Sequence, residues 1–164
     1  MQVITNNTPL SALVLVGQAE ILPTLFARLI VPAAVVTELH HSHTPEPVRL
    51  WIASPPPWVD IRQTTLPLDT ALLRLDAGER EAILLMQELQ ADLLLIDERH
   101  GRREAKRRGL TIMGTLRIVE LAGQRGLLDI PTVVAQCQAA GLYIPEDLVH
   151  EMLVRDAERK RHTP

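Results

Sequence analysis

Leu93-Leu94-Leu95-Ile96-Asp97 sets four apolar residues in an unbroken run ahead of a carboxylate. An amphipathic helix or a half-exposed strand would interleave polar residues. A short, uninterrupted aliphatic run instead suits a strand buried on both faces, as in a parallel sheet covered by helices. Asp97 then falls at the carboxyl end of that strand. Just upstream, Asp76-Ala77-Gly78-Glu79 has an acidic cap with Glu three positions on, which opens a helix running to about Gln90. Just downstream, a basic stretch from about Glu98 to Arg108 reads as a helix closed by Gly109. Thr111-Ile112-Met113 follows as a short strand, and Gly114-Thr115 leads into a helix ending near Gly123.

The same alternation extends back to the first residues. Val3-Ile4 reads as a buried strand ending in a polar turn, with Thr8 capping a helix and Pro9 at its first position. Leu10, Leu13 and Val14 recur at helical spacing, Gly17 breaks the run, and Ile21, Leu22, Leu25 and Phe26 resume it. Leu29-Ile30-Val31, bounded by Pro32, is a second strand feeding a helix that carries Val35, Val36 and Leu39. After a polar break over residues 40–47, a short helix around Val48 to Ala53 stops at Pro55-Pro56-Pro57, and Trp58 to Arg62 alternates like a half-exposed strand. Thr132 to Ala140 and Glu146 to Arg159 are helical. Strands alternating with helices predict an α/β fold with a central, mainly parallel sheet and right-handed crossovers. With no linker in view, residues 1–164 are expected to form a single domain with a helical C-terminal segment from about residue 131.

Composition removes several classes of function. The chain has 164 residues, 46% of them apolar, and a formal charge of −3, which suits one globular domain with an aliphatic core. Its aromatics are Phe26, Trp51, Trp58 and Tyr143, too scattered to make the stacking platform of a single-strand binder. Cys137, the lone cysteine, excludes an internal disulfide and any multi-cysteine zinc site within one chain. Thr5, Asn6 and Asn7 interrupt the opening where a signal peptide would be apolar, and no apolar stretch approaches the ~20 residues that span a bilayer, so a cytoplasmic protein is expected. No glycine-rich dinucleotide or P-loop signature and no nucleophile elbow occurs. His40, His41 and His43 read as part of a solvated loop and receive no role.

In open α/β sheets ligands bind beyond the carboxyl ends of the strands. The polar residues expected there are Asn6, Asp97 and Gly114-Thr115. Glu38 lies one helical turn past Ala34 and Val35, and Glu79 shares a stripe with Ala82, Ile83 and Met86, so both carboxylates are placed along apolar faces. Inward carboxylates need partners, and a divalent cation is an economical one: Mg²⁺ accepts one or two carboxylates and keeps positions for water and substrate oxygens. Each residue alone also has a plain structural role. Glu79 completes a capping box, Asp97 suits a helix cap, and Glu38 suits a surface position.

Taken together, five segments resemble the PIN-domain ribonucleases, in particular the small DUF3368-type proteins that look like toxins of toxin–antitoxin pairs. They are residues 3–10 (VITNNTPL), Ile30-Val31-Pro32 leading to Val36-Thr37-Glu38-Leu39, and residues 75–83 (LDAGEREAI). The last two are residues 94–98 (LLIDE) with Arg102 to Ala105, and Met113-Gly114-Thr115-Leu116. The resemblance implies a three-layer α/β/α sandwich and metal-dependent hydrolysis of RNA phosphodiesters with Mg²⁺ or Mn²⁺. Carried over by motif, Asn6, Glu38, Glu79 and Asp97 form the site, Glu38, Glu79 and Asp97 hold the metal, and Thr115 assists. Glu81 or Glu98 could stand in for its neighbour. The departure is Asn6, where the usual PIN pattern has Asp, although sequences resembling this subgroup can carry Ser-Asn-Thr there; an amide keeps one oxygen ligand and removes a charge, leaving at most three carboxylates in that assignment. The resemblance also implies a small cognate antitoxin and a homodimer. Its alternative is a catalytically weakened PIN-like domain that binds RNA or a protein.

Residues 99–108 carry net charge +5 and the remainder of the chain −8. A basic helix starting just after Asp97 could hold an RNA backbone beside an otherwise repelling acidic pocket, which assigns RNA contacts to Arg99, Arg102, Arg103, Lys106 and Arg107. A solvated helix face is the structural alternative for the same charges.

Overall fold

A computed structural model describes residues 1–162. The last two positions of the expected chain-length domain lie outside the described residues. Five strands form one sheet in the order β3-β2-β1-β4-β5: β1 (Val3–Thr5), β2 (Leu29–Pro32), β3 (Val59–Arg62), β4 (Leu93–Leu95) and β5 (Ile112–Met113). Every neighbouring pair is parallel, with Ile4 opposite Ile30, Thr5 opposite Leu95, and Leu95 opposite Met113. β1, β2 and β4 are buried along their whole length, as the apolar residues that make up most of them require. β3, at one edge, is half-exposed as expected, but its burial does not alternate: Val59 and Asp60 are half-buried, while Ile61 and Arg62 are exposed.

Strand order fixes the layers. The chain steps from β1 to β2 to β3 through α1 (Asn7–Leu15), α2 (Ile21–Phe26), α3 (Ala33–Leu39) and α4 (Glu46–Ala53). It then crosses back to β4 and β5 through α5 (Ala77–Glu88) and α6 (Arg99–Arg107). Right-handed crossovers taken in opposite directions put helices on both faces of the sheet, giving the three-layer α/β/α sandwich, with α3 packed against α5 where it leaves β2. The core on the α5 face joins Ile4, Ile30, Ile83, Leu85, Leu94 and Ala105. Because the chain leaves β1 in one direction and returns beside it as β4, a crevice opens beyond the carboxyl ends of β1 and β4.

The first helix begins two residues earlier than a cap at Thr8 predicts. Asn6 occupies the N-cap position, its side chain makes no capping hydrogen bond, and Thr8 lies within the first turn. The reason is lateral: the Thr8 hydroxyl donates to Glu98 and the Asn6 amide also turns toward Glu98, so neither serves the helix end. The capping box of α5 forms as its spacing predicts, with Glu79 N–H donating to Asp76 Oδ1 at 2.7 Å and Asp76 N–H to Glu79 Oε2 at 3.1 Å.

The chain divides into two compact units, Met1–Thr115 and the residues from Leu116 onward. The second unit is helical, with most of α7 (Thr115–Gln124), then α8 (Ile130–Ala139) and α9 (Glu146–His162). Within it, a Cβ on Gly123 would lie 2.3 Å from Ile130 Cγ1, so only glycine allows α7 and α8 to approach there. Buried Glu120 accepts from Arg117 and Arg155 at 2.6 and 2.7 Å. Among the described residues no helix is long and apolar enough to cross a membrane.

Candidate functional site

Asn6 follows β1 and its backbone N–H donates to Leu95 O at 2.8 Å, continuing the ladder into the crevice. Its side chain is only 1% exposed. The Nδ2 donates to Glu98 Oε2 at 3.0 Å, while the buried Oδ1 has no hydrogen-bond partner. A buried amide oxygen without a donor is costly, and a water or a cation would satisfy it.

Glu38, on α3, accepts a hydrogen bond from Gly78 N at 2.7 Å. A Cβ at Gly78 would lie 2.8 Å from Glu38 Oε2, so glycine is what lets the two elements meet. Glu79 does more than close the capping box: its Oε1 accepts from Gly101 N at 3.1 Å, which ties α5 to the first turn of α6. A Cβ at Gly101 would stand 2.5 Å from that oxygen. Asp97 spends both oxygens on Thr115, Oδ1 accepting from the backbone N–H at 2.9 Å and Oδ2 from the hydroxyl at 2.5 Å. It thereby fixes the turn that enters α7 and does not cap α6, the helix that follows it in sequence, whose N-cap position is Glu98.

Electrostatics gather these groups. Burial, ahead of every other cause, raises the carboxyl of Glu38, raises that of Asp97, and pushes Glu79 up to about 7. Neighbouring negative charge adds to each shift, from Asp76 on Glu38 and Glu79, and from Glu98 on all three. Glu98 is therefore the carboxylate whose charge reaches every member of the group, while its own oxygens take Asn6 Nδ2 and the Thr8 hydroxyl. The sequence signal for Glu98 was only its place next to Asp97. Glu81 faces elsewhere: it is 9% exposed, and its oxygens accept from Ala34 N at 2.6 Å and Thr64 N at 3.1 Å, so it is a structural strut rather than a stand-in for Glu79.

As the side chains stand, no three His, Cys, Asp or Glu groups among the described residues converge on one point that could hold an ion. Each carboxylate is turned to a backbone or side-chain donor instead. The donor set nevertheless fits a hard divalent cation: it is all oxygen, it is rich in mutually repelling carboxylates, and it contains the partnerless Oδ1 of Asn6.

The basic α6 begins at the rim of this group. Arg102 is committed to the fold, donating to Ile96 O at 2.8 Å. Arg107 and Arg108 both grip Glu104, and Arg108 also reaches Asp69 at 2.6 Å. Arg99, Arg103 and Lys106 are exposed, with no side-chain hydrogen bond or ion pair among the described residues.

A five-stranded parallel sheet between helical layers, with carboxylates around its switch point, defines a PIN-like α/β/α domain. The chain belongs to the DUF3368 family, a PIN domain, whose family model matches residues 2–158. The PIN domain is a fold of nuclease type that generally works with divalent metal ions. Among solved structures, a PilT N-terminus domain protein, SSO1118 from the hyperthermophilic archaeon Sulfolobus solfataricus P2, is similar at 17% identity and a TM-score of 0.52. The match covers 72% of this chain and 90% of that one, and the likeness is one of fold. No curated protein matches the chain in sequence.

Proposed function

We propose that this protein is a metal-dependent endoribonuclease, the toxin half of a toxin–antitoxin pair, working with Mg²⁺ or Mn²⁺. The observation that carries the reading is the buried, partnerless Asn6 Oδ1, set at the switch point among carboxylates whose charged forms burial disfavours. Glu38, Glu79 and Asp97 would hold the ion, with Asn6 as a neutral oxygen ligand and Glu98 as the fourth carboxylate. A bound divalent ion would supply charge neutralisation at the scissile phosphate and a more acidic water. The chain's own contribution is positional. Thr115 holds Asp97 by two hydrogen bonds, Gly78 and Gly101 hold Glu38 and Glu79 by one backbone N–H each, and Asn6 and Thr8 hold Glu98. The free guanidinium and ammonium groups of α6 would hold the RNA backbone, offsetting the repulsion a phosphate meets near the carboxylates. A cytoplasmic location, a homodimer and a small antitoxin covering the carboxylates belong to the same proposal.

The test is cleavage of labelled single-stranded RNA in Mg²⁺, in Mn²⁺ and in EDTA, with Asp97→Asn purified in parallel. Metal-dependent cleavage that is lost in the variant supports the nuclease. No cleavage, or equal cleavage by both preparations, refutes it. The amide at position 6 favours a second reading, a PIN-like module that binds RNA or protein without cutting. Under that reading chelation leaves binding intact and no turnover appears with either ion.

A further inference from the structure

A cleft of about 440 Å³ runs between the 3₁₀ turn Thr70–Leu72 with its following residues and one face of α6. That volume is within the range of small ligand sites, about 300–1,000 Å³. His100, Arg103 and Arg107 line it from α6 at positions i, i+3 and i+7, and Arg74 lines it from the opposite wall. Glu104 is the one carboxylate in the lining, and it is already held by Arg107 and Arg108. Three guanidiniums thus face one engaged carboxylate. Arg74, Arg103 and His100 are exposed and have no side-chain partner among the described residues.

The position of the cleft gives these charges a use. Leu75 in one wall precedes Asp76, and His100 in the other precedes Gly101. The N–H groups of Asp76 and Gly101 are the two that clamp Glu79, each at 3.1 Å. The cleft therefore ends one residue from both clamps of a candidate site carboxylate. The lining holds no Phe, Tyr or Trp and only one ring, His100, so guanidiniums predominate, and forked guanidiniums recognise phosphate oxygens without reading sequence.

We propose that this cleft binds the phosphate backbone of single-stranded RNA next to the carboxylate site, with Arg74 and Arg103 as the principal contacts. The proposal rests on the nuclease reading for its choice of RNA over an acidic protein segment. Arg74 could not be found from the basic helix alone, because it stands about one turn of chain before α5.

The experiment is fluorescence anisotropy of a labelled short oligouridine in EDTA, over about 50 to 200 mM salt. It compares the wild type, the Arg74→Ala/Arg103→Ala double variant and Arg28→Ala. Arg28 precedes β2 at the opposite end of the sheet and serves as the control for loss of an arginine charge away from the cleft. The double variant is expected to lose about tenfold in affinity per contact removed at the low-salt end. Its slope of log affinity against log salt should fall by about 1.4, at about 0.7 per phosphate on a single strand. Arg28→Ala should keep the wild-type affinity and slope. Both substituted arginines are exposed, and matching melting curves check that the fold is kept. Wild-type affinity and slope in the double variant would overturn the cleft, as would a wild type that binds an oligoglutamate peptide there and no RNA. Cleavage in Mn²⁺, read separately, keeps the two readings apart. Binding that depends on the arginines without any cleavage refutes the nuclease and keeps the cleft, whereas cleavage with arginine-independent binding does the reverse.

Discussion

Replacing Asn6 by Asp, the residue of the usual PIN pattern, should destabilise the metal-free protein rather than repair it. Asn6 Nδ2 donates to Glu98 Oε2 at 3.0 Å, so an isosteric carboxylate would set two negative oxygens at that separation. At an effective dielectric constant of about 20, two unit charges so placed repel by about 5.5 kcal/mol. The pair has a cheaper escape, since one carboxyl can keep a proton and donate it to the other. Holding a proton on an ordinary carboxyl of pKa about 4 costs about 1.4 kcal/mol per pH unit, hence about 4 kcal/mol at pH 7 and about 1.4 at pH 5. The smaller cost sets the ceiling. The sign follows from linkage: the folded variant holds a proton that the unfolded chain has released, so its stability relative to wild type falls as pH rises above about 4. Urea unfolding of both proteins in EDTA at the two pH values reads this directly, and excess Mg²⁺ or Mn²⁺ should narrow the gap by binding the folded variant. A variant as stable as wild type at pH 7, or one whose deficit is the same at both pH values, would refute the placement of Asn6 against Glu98.

Three further outcomes follow from the same site. Burial and the charge of Asp76 push Glu79 up to about 7 from an ordinary 4.5, so between those values the folded metal-free chain holds a proton the unfolded chain lacks. Stability should therefore fall with rising pH across that window by at most about 1.4 kcal/mol per unit, and level off above it. Urea midpoints against pH for wild type and Glu79→Gln check this, and identical profiles would exclude the shift. Gly101→Ala brings a Cβ to 2.5 Å from both Glu79 Oε1 and Ile96 Cδ1, and should cost about 1–3 kcal/mol in urea unfolding while weakening metal-dependent cleavage. Unchanged stability and turnover would mean the approach of α6 to α5 is looser than described. Glu81→Ala strips the acceptor from two backbone N–H groups, Ala34 and Thr64, and should cost about 2–5 kcal/mol. Calorimetric Mn²⁺ affinity of its folded form should match wild type, and a loss would return Glu81 to the metal site.

The sandwich was legible because its central strands are mostly apolar and its helices announce their ends. Leu93 to Ile96 could be little else than a strand buried on both faces, and Asp76 with Glu79 could be read as a cap from spacing alone. The first helix start was misread at Thr8 because a hydroxyl before Pro9 looks like a cap when its alternative partner, Glu98, is 90 residues away. Adjacent carboxylates at a strand end posed the harder problem. Asp97 and Glu98 point in different directions once the strand ends, Asp97 to Thr115 and Glu98 to Asn6 and Thr8, and no periodicity says which of them turns to which side. The same limit hid Arg74 and His100, whose meeting depends on how the loop before α5 lies along α6.

Seen from Glu98, the amide at position 6 is a matched substitution. Two carboxylates in contact would leave the metal-free site with a proton to hold or a repulsion to bear, whereas Asn6 donates to Glu98 and keeps an oxygen free. On the proposed reading this raises the count from the three carboxylates of the motif assignment to four, with Glu98 added to Glu38, Glu79 and Asp97, so the charge lost at position 6 is supplied from position 98. Two of the four are held by backbone N–H groups at glycines where a Cβ would collide, and a third by Thr115. Glu79 and Asp97 have both oxygens engaged, so an ion bound there would take the place of one of their donors while the other keeps the carboxylate in position. A site built this way tolerates the absence of metal without collapsing, because every negative charge in it already has a donor, and the unmet group is the neutral Oδ1 of Asn6.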